Sequence, residues 1–285
     1  MRLILKIIFI LMLASSCYTF EQEKHELISD SAASLYETCT GRAIPRELLS
    51  AFAQGATDED EWGLIRPLNW HFYNNGHRIG HYWKFIFYCN GSNEKIYHQR
   101  VQTLDGLLAS KAPAIKIYAA AGRVAHHIQD MSVPPHVMPI YHLGDDNFDN
   151  YIPASRPAAD TASICKDVNG TIVEPLELLE WAAQNTLKTV AQPVVFANGK
   201  TLENETWMKF WGGPDDQDLS GFKTYGEYGN VFGTIPPCKN STCRAYDRKT
   251  YDKFYNEAYM RAVADTVRLF IYLDQRNAVL KQSWQ

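Results

Sequence analysis

The stretch APAIKIYAAAGRVAHHIQDMSVPPH, residues 112–136, constrains the fold of this chain more than any other. Pro113 suits the first turn of a helix, and Pro134 and Pro135 cannot continue one, so a single helix is bounded on both sides. Within it Ile115, Ala119, Gly122, His126 and Asp130 follow the 3.6-residue period and share one face. Histidine and aspartate on the inward face of a helix must be buried in partnership or turned to solvent. The fold around that face has to decide which.

The rest of the chain reads as helix with little strand. His25, Ile28, Ala32 and Leu35 repeat the helical spacing near the start. Leu176, Leu179, Ala183 and Leu187 do so in EPLELLEWAAQNTLKTV. Tyr255, Tyr259, Ala262, Thr266, Phe270 and Leu273 mark a long amphipathic helix near the C-terminus. Between about Phe196 and Cys243 the chain is rich in Gly, Pro, Asp and Asn, which predicts an extended surface excursion. No internal repeat or low-complexity tract interrupts the pattern. The fold class expected is all-α, one mainly helical domain over residues 20–285.

The opening MRLILKIIFILMLASSC has the layout of an export signal: Arg2 and Lys6, an apolar run, then Ala14, Ser15 and Ser16 before Cys17. The run is too short for a membrane span. A signal peptide over residues 1–19 is expected, cleaved after residue 16 or after residue 19. LASSC also loosely resembles a lipoprotein box, which leaves acylation of Cys17 open. Either route predicts a chain secreted or delivered to the periplasm or cell surface, where its 6 cysteines can oxidise. Cys238 and Cys243, in one Pro/Asn/Ser loop, are the pair expected to bond, with free thiols as the alternative.

The 28 Lys and Arg against 32 Asp and Glu give a formal charge of −4, and the basic residues do not cluster. Such a surface does not favour a polyanion, so no nucleic-acid partner is expected.

His126 and Asp130 stand one helical turn apart, so their side chains meet. His142 and Asp146 repeat that spacing, and the Pro-Pro pair folds the chain back to bring His136 near. One such pair is more often a polar helix end than a site. Two pairs with a histidine between them favour metal ligation, for which neutral imidazole and carboxylate are ordinary zinc ligands. His127 points about 100° away from His126 and belongs to a supporting layer or to the surface. Upstream, Asp58, Glu59, Asp60 and Glu61 read alone as a solvated charge run, and His71 and His77 as part of an aromatic loop. His25 alone reads as a satisfied core histidine.

Taken in order, KHELI, GATDED, HFYNNG, HHIQDMSVPPH and HLGDDNF, over roughly residues 20–150, resemble the zinc-dependent phospholipases C. That family shares a helical fold with single-strand-specific nucleases. The resemblance implies up to three zinc ions. Asp60, His71 and His126 would hold one, with Asp130 bridging to a second. The second would also take His25 and the free amino terminus, which cleavage before Phe20 would create. His136, His142 and Asp146 would hold the third. Asp60 and Asp130 are the residues to which it assigns catalysis. The chain departs from the family in several places. Asp146 stands where phospholipases usually carry Glu, the His136–His142 loop is short, Glu61 replaces an aromatic, and no Trp stands near the cleavage region.

The activity implied is hydrolysis of a glycerophospholipid of the phosphatidylcholine kind to diacylglycerol and a phosphorylated head group. The partner is then phospholipid at a membrane or micelle surface, with no obligate protein partner. Trp62, Trp70, Phe72 and Tyr73 would line a lipid-facing rim or belong to the core. The alternatives are a nuclease with the same metal cluster and a non-catalytic helical binding protein. The C-terminal half carries no matching motif.

Overall fold

The computed structural model describes residues 22–59, 71–73, 79–82, 88–91, 93–138, 140, 146–154, 160–170, 173–212, 224–234 and 246–282. Its helices are α1 (Gln22–Thr40), α2 (Arg46–Asp58), α3 (Asn93–Ala109), α4 (Ala114–Asp130), α5 (Pro134–Val137), α6 (Thr161–Gly170), α7 (Pro175–Val190), α8 (Met208–Trp211) and α9 (Arg248–Gln282). Two antiparallel ribbons complete the described elements: β1 (Ile79–Tyr82) with β2 (Tyr88–Gly91), and β3 (Pro193–Val195) with β4 (Thr201–Thr206). The protein is thus mainly helical, as its periodicity predicts.

Helix α4 is the centre of the arrangement. It packs against α2 most closely, and also against α1, α3, α7 and α9. Every residue from Val124 to Asp130 is buried, polar ones included. The predicted face holds from Gly122 onward, but Ile115 is 52% exposed, because the first turn of α4 projects beyond its neighbours. Close approach to α2 is possible because both helices put glycine at the crossing. A Cβ on Gly55 would lie 2.1 Å from Ala119 O, and one on Gly122 would lie 1.9 Å from Phe52 O. Gly122 therefore does not leave open space beside the histidine; the backbone of α2 fills it.

The face expected of α1 is the buried one: His25, Ile28 and Ala32 are fully buried and Leu35 nearly so. In α7 the expected row is partly displaced. Leu176 is 51% exposed, and Leu178, Ala182, Thr186 and Val190 are buried beside Leu179 and Ala183. Pro175 is itself buried on the same face as Leu178, Leu179 and Ala182, so the inward face starts there and Leu176, one residue on, turns away from it. All six residues expected on the inner face of α9 are buried.

The segment after Phe196 is a surface excursion only at first: residues 197–204 are mostly exposed, but the chain then turns inward. Trp207, Phe210, Trp211, Tyr228 and Phe232 are buried against the start of α9. Trp207 stacks on Phe254 with ring centroids 4.1 Å apart, and Phe232 meets Tyr251 edge to face at 4.8 Å. Gly and Asn mark irregular backbone, and irregular backbone carrying aromatics can still be core. Phe72 and Tyr73 are also core, at 2% and 3% exposure. Trp62 and Trp70 lie outside the described residues.

A disulfide joins Cys39, at the end of α1, to Cys165 in α6. It links positions 126 residues apart, which loop spacing could not suggest. Cys238 and Cys243 lie outside the described residues. No described helix is long and apolar enough to cross a membrane.

Candidate metal centre

Four segments deliver side chains to one buried point. Helix α1 supplies His25 from its first turns, and α4 supplies His126 and Asp130 from its last two. Val133 is extended (φ −92°, ψ 112°), as a residue before proline must be, and Pro134 and Pro135 start α5 with His136 in its single turn. The short run 71–73 is pinned by two backbone bonds. Tyr73 N–H donates to His136 O at 2.9 Å, and Asn93 N–H donates to Phe72 O at 2.9 Å. That clamp fixes His71 beside α5.

Asp130 is the hub. Its Oδ2 lies 3.0 Å from His71 Nδ1, 3.4 Å from His126 Nε2 and 3.6 Å from His136 Nδ1. Its Oδ1 lies 3.6 Å from His25 Nε2, is buried, and accepts no hydrogen bond among the described residues. His25 and His126 stack with centroids 4.3 Å apart. The ligand atoms of His25, His126 and Asp130 fall within 4.8 Å of one another, and all three residues are buried, so this group could hold a metal ion. His71 and His136 stand at its border.

Protonation favours ligation. Burial, helped by the neighbouring His126, pushes the His25 imidazole down to about 3, so it is neutral at pH 7. Burial opposes ionisation of Asp130, but His126 and His136 outweigh it and hold the carboxyl well below its usual range. His126 Nδ1–H donates to Ala56 O at 2.9 Å, and a carbonyl can only accept, so in the neutral form of the ring Nε2 carries the lone pair, on the side turned toward Asp130. Ala56 sits on α2 where the glycine crossing brings the two helices together.

Around this group lies a second buried network. Glu59 takes Arg100 Nε and Nη2 on Oε1 at 2.9 and 2.7 Å, and Arg123 Nη1 on Oε2 at 2.8 Å. His127 Nε2 lies 3.5 Å from the same carboxylate. Burial would raise the Glu59 pKa, yet His127 and Arg100 hold it well below the carboxylate range. Burial pushes the His127 imidazole down to about 4. Of the two places expected for His127, the structure gives the supporting layer, because the ring is fully buried. The run GATDED is not simply a solvated charge run, since Glu59 is 3% exposed.

His136 points its other nitrogen at a carboxylate the spacing argument passed over: Nε2 lies 3.8 Å from Asp149 Oδ2. Asp146 is buried, with both oxygens engaged by the chain. Oδ1 accepts from the N–H groups of Phe148 and Asp149 at 2.7 and 3.3 Å, and Oδ2 accepts from Tyr225 O–H at 2.8 Å. Asn147 donates twice to Asn230, from its backbone N–H to Oδ1 and from Nδ2 to the backbone O, and fastens the 146–151 turn to the 224–234 segment. Of the ligands expected, His25, His71, His126, Asp130 and His136 come together, and Asp146 is buried in a turn with Asp149. Phe20, Asp60 and His142 lie outside the described residues, as does His77.

Gln129, Asp149, Tyr225 and Thr266 also build this region; sequence spacing assigned none of them to it, and placed Thr266 only on the inner face of α9. The C-terminal half contributes two of the four, although it carries no motif. Compared with protein-family models, with curated proteins and with solved structures, the chain matches none.

Proposed function

We propose that the chain is an exported zinc-dependent phosphodiesterase acting as a phospholipase C. One observation carries the reading: imidazoles converge on one ionised, fully buried carboxylate that has an oxygen accepting no hydrogen bond among the described residues. A buried carboxylate in that state is costly unless a cation completes it. The donor set is imidazole nitrogen and carboxylate oxygen without thiolate, which suits zinc. His25, His126 and Asp130 would hold the first ion, with His71 and His136 beside them. The zinc count of up to three, with Phe20, Asp60, His142 and Asp146 as further ligands, rests on the sequence resemblance.

When bound, Zn²⁺ supplies Lewis acidity, neutralising charge at the phosphoryl oxygens and acidifying water. The protein does the rest. Ala56 O and the α2–α4 crossing hold His126 with Nε2 turned inward. Burial keeps bulk water from the carboxylate and lowers the local dielectric, which strengthens its attraction for a cation. Asp60 is assigned to orient the attacking water and take its proton. The water oxygen bonds to phosphorus as the phosphorus–oxygen bond to the glycerol breaks. A proton goes to that oxygen, releasing diacylglycerol and the phosphorylated head group.

Two facts support the export part. The Cys39–Cys165 bond suits an oxidising compartment. The first residues have the layout of a signal peptide. Lipid rather than nucleic acid is favoured because acidic residues outnumber basic ones, 32 to 28. The deciding experiment compares turnover of phosphatidylcholine micelles with that of single-stranded DNA, before and after chelation. Faster cleavage of the DNA would assign the centre to the nuclease alternative. Turnover unaffected by chelation would exclude a metal enzyme.

A further inference from the structure

Gln129, between the supporting histidine and the hub aspartate, reaches across two helices. It is fully buried, with Oε1 2.7 Å from His25 Nδ1 on α1 and Nε2 3.2 Å from Thr266 Oγ1 on α9. The direction of each bond follows from what each group can do. Thr266 Oγ1 is 2.8 Å from Ala262 O, and that carbonyl can only accept, so the threonine hydroxyl spends its one proton there. Its oxygen is then an acceptor and requires the NH₂ end of Gln129. The amide oxygen is thereby turned to His25 and also can only accept. The proton of the neutral imidazole must sit on Nδ1, and Nε2 carries the lone pair, 3.6 Å from Asp130 Oδ1.

We propose that Thr266 and Gln129 are positioning residues that fix His25 in its Nδ1–H tautomer, so that Nε2 faces Asp130 as a metal-ligating nitrogen. The inference deepens the metal-centre reading and rests on it. With the amide reversed, Gln129 would donate to Nδ1 and the imidazole proton would move to Nε2. That N–H would point at the carboxylate and occupy the direction a cation needs. Thr266 sits in the middle of α9 and cannot rotate its hydroxyl away without losing Ala262. One hydroxyl of the C-terminal helix thus selects the ligating form of a histidine 241 positions earlier in the chain. Metal-ligating histidines commonly need such a partner on their other nitrogen, and its removal typically costs about 10–100-fold in metal affinity.

The test uses the full mature chain, made metal-free and labelled with ¹⁵N at histidine. Two-bond ¹H–¹⁵N correlation identifies which ring nitrogen of His25 carries the proton. The wild type should show Nδ1–H. Gln129→Glu, which keeps an acceptor toward His25, should retain that tautomer and bind zinc within about 3-fold of wild type. Gln129→Leu should lose the preference, and its zinc affinity against a competing chelator should fall about 10–100-fold. Thr266→Val, of similar shape, releases the amide to reverse and should shift the tautomer in the same direction. Zinc binding together with a tautomer unchanged in both Gln129→Leu and Thr266→Val overturns the relay. Should Gln129→Leu fail to fold, the Thr266→Val spectrum decides alone. No zinc binding by a wild type that shows Nδ1–H overturns the metal reading instead.

Discussion

Gly122→Ala tests whether the helix crossing holds the candidate metal centre together. The added Cβ would lie 1.9 Å from Phe52 O, 2.9 Å from Phe52 C and 2.9 Å from Ala56 N. All three atoms are α2 backbone, so no side chain can swing aside. Moving the first contact out to 3.0 Å, the least that real Cβ atoms tolerate, separates the helices by about 1.1 Å. The His126 Nδ1–Ala56 O bond, now 2.9 Å, lies at that crossing and would open past hydrogen-bonding range. Overpacking of this kind costs about 1–3 kcal/mol, and a buried N–H left without its acceptor costs about 1–3 kcal/mol more. Better helix propensity returns somewhat under 1 kcal/mol. A net loss of about 2–5 kcal/mol is expected, a large part of the roughly 5–15 kcal/mol typical of a folded protein. Urea unfolding of the metal-free protein measures it, with zinc titration reporting the displacement of His126. Gly106→Ala is the control. A Cβ there meets nothing within 4 Å on an exposed stretch of α3, so the same substitution should stabilise by about 0.5–1 kcal/mol. A Gly122→Ala protein within 1 kcal/mol of wild type, with zinc affinity intact, would refute the reasoning.

Chelation should abolish phosphodiesterase activity and lower the melting temperature, and zinc should restore both; full activity in protein shown metal-free by elemental analysis would rule the metal reading out. Asp130→Asn should lose more bound metal than any other single change, because four imidazoles converge on that carboxylate, whereas His127→Ala should keep the metal and lose about 1–3 kcal/mol of stability. Equal metal loss in the two variants would show that the roles on α4 are misassigned. Burial, against the pull of Arg268 and Arg261, raises the Asp265 carboxyl from 3.8 to about 6, so its stabilising contribution is complete below pH 3.8 and is lost as pH rises through 6. At 1.36 kcal/mol per pH unit the difference is about 3 kcal/mol, so the stability of Asp265→Asn relative to wild type should rise by about that much between pH 4 and 7, and a flat difference would count against it. Replacing Cys39 and Cys165 by serine should cost about 2–5 kcal/mol in urea unfolding, and non-reducing peptide mapping should recover that pair from the native protein.

The candidate site was legible in the sequence wherever one helix carries two of its members. His126 and Asp130 meet because 3.6 residues per turn puts them on one face, whatever surrounds them. The Pro-Pro pair likewise fixes the return of His136 by local sterics. His25 and His71 could not be placed that way, and only their resemblance to a family pattern singled them out. Asp149 and Tyr225 left no trace, and Thr266 showed only as an inward residue of its helix, since nothing local relates them to the groups they contact. The aromatic segment around Trp207 was misjudged for a similar reason: glycine and asparagine report backbone irregularity and say nothing about what packs over it.

By itself, then, the sequence determined the helices, most of their inward faces and the pairing of His126 with Asp130 within a turn, because these follow from backbone periodicity and proline sterics acting over a few residues. The tertiary structure alone decided which inward histidine joins the cluster at Asp130 and which packs behind it. His126 and His127 are adjacent and chemically identical, yet one meets Ala56 O and Asp130 while the other meets Glu59. That difference arises from where α2 crosses α4, and the crossing is set by two glycines far apart in the chain whose missing side chains matter only once the helices touch.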